Sequence, residues 1–155
     1  MANGYLHKVI PIIDKSGEVM DYVLKPFMVE FKPRDVMQVA IGAALLGTPM
    51  AFTEEVWVLG SELPLANCLM LSFLSLLLIG VFVYFNFYRF NFKGHEFSYV
   101  KRVLGTYLIT LSIIALILTI VDKCPWGTDN LLAIKRILIV SFPAAMSGTI
   151  SDTIK

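Results

Sequence analysis

Four apolar stretches, each about as long as a bilayer crossing needs, dominate this 155-residue chain. With short flanks they run from about Asp35 to Leu59, Leu65 to Tyr88, Tyr99 to Val121 and Asp129 to Ser151. A crossing takes about 20 mainly apolar residues, and a helix satisfies its own backbone polar groups in lipid. The composition, 57% hydrophobic and 16% charged, departs from a soluble domain (about 45–50% and 25%) in the same direction. The sequence predicts an all-α membrane protein with four transmembrane helices, in a domain covering 35–155. The first block begins only near Val36, after a mixed charged segment, so it reads as an anchor that stays.

Residues 1–34 read as a short cytoplasmic arm that forms a β-hairpin. His7 to Ile13 and Val19 to Phe31 are rich in Val, Ile, Tyr and Phe. Between them Asp14-Lys15-Ser16-Gly17-Glu18 is a turn sequence, its glycine free to take positive φ. Pro11 and Pro26 suit edges or bulges. Two strands alone are marginal in water, so the arm is expected to lean on the membrane domain or on another copy.

Lysine and arginine set the orientation. Lys8, Lys15, Lys25, Lys32 and Arg34 lie on the arm, and Arg89, Lys93, Lys101 and Arg102 join the second helix to the third. The first link has no Lys or Arg and the third has Lys123. Positive charge favours the cytoplasm, so both termini are expected there, in a multi-pass protein of the cell's inner membrane. Tyr84, Phe85, Phe87, Tyr88, Phe90 and Phe92 read as an inner aromatic belt, with Trp57 and Trp126 marking the outer interface.

A net charge of +1 excludes a strongly basic nucleic-acid binder. Cys68, Cys124, His7 and His95 have no metal-ligand spacing, and nothing calls for a cofactor. Both cysteines fall on the outer side, as a disulfide or as two free thiols. Without G-x-S-x-G, a Walker loop or H-E-x-x-H, enzymatic activity is not expected.

The first helix carries the candidate site. Ala40, Ala44, Gly47, Ala51 and Glu55 share one face, and small residues let a neighbouring helix come close. Pro49 frees the carbonyl of Leu45, so a kink is expected. Glu54 and Glu55 fall about 27 Å along the helix from Val36, at about 1.5 Å per residue, near the outer edge of the hydrocarbon. There they either sit solvated among headgroups or line an ion pathway. Lys135 and Arg136 enter the fourth helix from the same side, either pairing with these glutamates or snorkelling outward. Pro143 heads a Pro143–Ser147 segment that resembles Pro49–Thr53, in an oppositely directed helix. Paired proline-interrupted helices mark binding sites in some transporters, although shared packing needs also explain so short a match.

Val23-Leu24-Lys25-Pro26-Phe27, Val29 to Asp35, Phe52-Thr53-Glu54-Glu55-Val56-Trp57 with Leu63-Pro64, and Val140 to Ala145 together resemble an uncharacterised family of bacterial integral membrane proteins. The resemblance implies a multi-helix inner-membrane protein and carries no activity with it.

The residues themselves favour a small homo-oligomeric ion channel or ion pathway with cation preference, its copies placing the first helix around an axis. A single four-helix unit has little room for a wide pore. The other reading is a non-transporting membrane module that docks a partner through its arm. The expected partners are the lipid bilayer, further copies of the chain and an inorganic ion.

Overall fold

The computed structural model describes residues 7–13, 19–26, 31–89, 92 and 95–154. Strands β1 (His7–Ile13) and β2 (Val19–Pro26) run antiparallel, with Ile10 opposite Val23 and an irregularity at Ile12/Ile13. The segment 14–18 between them lies outside the described residues.

The rest is helical: α1 (Pro33–Ala51), α2 (Glu54–Glu62), α3 (Leu65–Val83, continued by a π-turn over Tyr84–Tyr88), α4 (Glu96–Ile120) and α5 (Asn130–Thr153). Among the described residues the spans Leu65–Tyr88, Glu96–Ile120 and Asn130–Thr153 are long and apolar enough to cross a membrane, and the bent pair α1 and α2 passes the same test only when taken together, as a broken span or a re-entrant loop. At about 1.5 Å per residue, the 19 residues of α1 rise about 28 Å, nearly a full hydrocarbon thickness.

The expected continuous first helix, 35–59, is corrected by an 84° bend between α1 and α2. Pro49 withholds one backbone donor, and the chain then ends the helix outright. Phe52 N–H bonds the Pro49 carbonyl, and both the N–H and the hydroxyl of Thr53 bond that of Met50. Trp57 Nε1 donates to the Ala51 carbonyl at 2.9 Å. Orphan carbonyls at a helix end need such partners. Thr53 turns extended and takes the N-cap position of α2, with Glu54 and Glu55 in its first turn, where carboxylates suit the helix dipole.

Contacts along the bundle fix its direction. Asp35 of α1 meets Arg102 of α4, and a Cβ at Gly47 would run into Ile114, so α1 and α4 run parallel. Arg102 also meets Asp152, so α5 runs against α4. The start of α1 and the end of α5 therefore lie at one end of the bundle. Gly42 and Gly148 bring α1 and α5 together: a Cβ on Gly42 would stand 2.9 Å from Gly148 Cα, and one on Gly148 3.0 Å from the Val39 carbonyl oxygen. The buried face of α1, which includes Val39, Gly42, Ala43, Gly47 and Ala51, is filled by α4 and α5 of the same chain. Of the expected small-residue face, Gly47 and Ala51 are buried in this way, Ala40 and Ala44 are half-buried and Glu55 is exposed.

Pro49 and Pro143 do not behave alike. Helix α5 runs unbroken through Pro143, so the interruption in α1 has no counterpart.

A charged cluster at the common end of three helices

Among the described residues Arg102 is the largest side chain to be fully buried, at 0% exposure, and it sits in α4 about 9 Å from the start of that helix at about 1.5 Å per residue. Its Nη2 donates to Asp35 Oδ2 at 2.8 Å and its Nη1 to Asp152 Oδ2 at 3.1 Å. The two carboxylates are 3% and 1% exposed. Each member comes from a different helix, so the cluster ties α1, α4 and α5 at one point.

Local sequence places each group. Pro33 opens α1, and Asp35 stands in its first turn, where it also accepts the Lys32 N–H at 3.1 Å. On α4 the residues Arg102, Thr106, Thr110, Ile114 and Leu118, four apart, form one buried stripe. It starts charged, passes through two hydroxyls and ends apolar. The Thr110 hydroxyl donates back to the Thr106 carbonyl. The Thr106 and Tyr107 hydroxyls and that of Ser75 on α3 are buried with no hydrogen-bond partner among the described residues.

The π-turn completes the site. It leaves Phe85 and Asn86 exposed and buries Phe87 and Tyr88. The Phe87 ring centroid lies 3.9 Å from Arg102 Cζ, a cation–π contact worth about 2 kcal/mol when desolvated. Phe31 adds a second ring at 5.5 Å. The edge-to-face pairs Tyr88–Tyr99, Tyr99–Phe92 and Phe92–Tyr84 extend this aromatic wall. Two of the expected belt residues, Phe87 and Tyr88, thus face protein, while Phe90 lies outside the described residues.

The residues singled out by sequence occupy the opposite end. Glu54 and Glu55 are exposed in the first turn of α2 and form no ion pair among the described residues. The expected pairing with Lys135 and Arg136 is replaced by backbone contacts. Arg136 donates to the carbonyls of Lys123 (2.7 Å) and Trp57 (3.4 Å), and its side chain lies where a Cβ on Gly60 would be. Lys135 reaches the Ser61 carbonyl at 3.5 Å, too long to weigh much. Lys123 stacks over the Trp57 ring at 3.8 Å. Cys68 and Cys124 are buried free thiols, and burial pushes the Cys124 thiol above its ordinary range, with Thr119 and Arg136 opposing more weakly. No group of three or more potential metal ligands occurs among the described residues.

Long apolar helices wrapped around a buried ion cluster define an integral membrane protein of the multi-pass helical class. The chain belongs to the DUF2391 family, described as "Putative integral membrane protein", whose family model matches residues 15–152. No curated protein and no solved structure matches it.

Proposed function

We propose that the protein links a small monovalent cation, the proton foremost, to the arrangement of α1, α4 and α5, with Asp35, Arg102 and Asp152 as the coupling site. The observation that carries this reading is a fully buried arginine held by two buried aspartates from two other membrane helices. Ionisable residues inside membrane helices are costly, and they commonly mark ion or proton sites. Apolar residues of similar volume hold helices together as well as a buried ion pair does, so packing alone gives no reason for these three. Their state of charge bears directly on how closely the three helices can sit.

In this reading the ion site moves from Glu54 and Glu55 to the end of the bundle that holds both helix termini. We place that end in the cytoplasm because Lys32, Arg34, Arg89 and Lys101 lie there. The polar part of the α4 stripe stops at Ile114, which fills the notch left by Gly47. Passage across one chain is therefore closed at that level, and a homo-oligomer or a rearranged bundle would supply the remainder.

Proteoliposomes loaded with a pH-sensitive dye, under an imposed potential, test the proposal. Proton entry is expected. Asp152→Asn should abolish it, and Glu54→Gln with Glu55→Gln should leave it unchanged. Folded protein that moves neither protons nor Na+ or K+ would end the ion-linked reading, and full flux through Asp152→Asn would remove the cluster from it.

The partner-docking alternative has its own supporting observation. Phe31, at the junction of arm and helix, lies against Arg102, so the arm has a physical route to the membrane domain.

A further inference from the structure

Among the described residues two aromatic rings lie against the Arg102 guanidinium, and they differ in origin. Phe87 belongs to a membrane span, whereas Phe31 precedes the first helix. Phe31 has a seat: a Cβ built on Gly105 would stand 3.1 Å from its Cε1, closer than ordinary carbon contact. A glycine inside a helix is less favourable than alanine. Room for this ring gives Gly105 a reason to be there.

The same segment reaches the ion cluster by a second route. Asp35 Oδ2 accepts the Lys32 N–H at 3.1 Å and Arg102 Nη2 at 2.8 Å. Lys32 follows Phe31 directly, so a displacement of the ring pulls on the donor that shares this oxygen. Behind Arg102, one turn deeper on the same stripe, Thr106 is 1% exposed with its hydroxyl unpartnered among the described residues.

We propose that Phe31 is a lid over the buried cluster. Seated on Gly105, it keeps water from Arg102 and from the stripe behind it. Lifted, it opens both and loosens Asp35 at once. The lid requires no ion to cross the membrane, so it stands or falls separately from the function proposed above.

Thiol accessibility tests it in the full chain. In a Cys68→Ala, Cys124→Ala background, Thr106→Cys is treated with a water-soluble methanethiosulfonate. With Phe31 in place the thiol should react slowly. Phe31→Ala should raise the rate about tenfold or more, which corresponds to a shift of about 1.4 kcal/mol in a local opening equilibrium. Gly105→Val keeps the ring but takes its seat, and should give the same rise. Lys101→Cys, exposed throughout, should react alike in every background, and melting temperatures report folding. A buried thiol that already reacts as fast as the Lys101→Cys control overturns the lid. So does a rate that neither Phe31→Ala nor Gly105→Val changes. Loss of folding in both variants would make Phe31 a packing residue and overturn it too.

Discussion

Replacing Arg102 with methionine should destabilise the helical domain by about 3–5 kcal/mol, the usual cost of removing one partner from a buried ion pair. The structure supports the upper part of that range. Among the described residues Arg102 makes two charge-assisted hydrogen bonds, at 2.8 and 3.1 Å, each worth about 1.5–3 kcal/mol. All three groups are at most 3% exposed, so salt screens them little. The variant leaves Asp35 and Asp152 with no guanidinium between them. Adding Asp35→Leu and Asp152→Leu removes the uncompensated buried charge, so the triple variant should recover to within about 1–2 kcal/mol of the parent, since apolar replacement of a whole buried ion triad is often close to neutral. Reversible unfolding in mixed detergent micelles, followed by circular dichroism, measures both differences. A triple variant as unstable as Arg102→Met would refute the electrostatic argument and assign the loss to packing around Phe87. An Arg102→Met protein as stable as the parent would show that the cluster does not hold the helices.

Two other outcomes follow from the packing. Gly148→Val would drive side-chain atoms against the Val39 backbone, where even a Cβ stands 3.0 Å from its carbonyl oxygen. It should lower stability by about 1–3 kcal/mol, as overpacking does, and an unchanged melting temperature would show that the α1–α5 crossing is looser than described. Cys124 lies beyond the end of α4, buried, with its thiol pKa raised by that burial. The thiolate is the reactive form, so a water-soluble maleimide should label it slowly at neutral pH and faster only in alkaline solution. Rapid labelling at pH 7 would contradict the burial.

Sequence reading located the apolar spans because length and hydropathy depend on residue type alone. The expected 65–88 matches the span Leu65–Tyr88, and the last two helices differ from expectation by a few residues at their ends. It misjudged the first helix at Thr53-Glu54-Glu55. A capping residue followed by two acids is a helix-start signal, and it competes with the reading of adjacent carboxylates as charge near lipid. The buried ion cluster is hard to read from sequence because its members are far apart in the chain: Arg102 stands among the positive residues that join the second helix to the third, and Asp35 at the start of the first. Their four-residue companions Thr106 and Thr110 offered a signal, a polar stripe leading inward from Arg102 on α4. The partner Asp152 had no such mark, since only the antiparallel course of α5 brings it within reach. Glu54 and Glu55 stood out in sequence through adjacency, which says nothing about burial.

The spacing of the cluster along the chain has a consequence for biogenesis. Arg102 follows Asp35 by 67 residues, and Asp152 follows Arg102 by 50. During synthesis the first aspartate is made long before its arginine exists, and that arginine in turn precedes Asp152, near the end of α5. Until Asp152 is made, each intermediate holds an incomplete set of charges that lipid tolerates poorly, so the early helices gain from staying near headgroups or water. Losing Asp152 alone would leave every helix in place and still remove the group that completes the set.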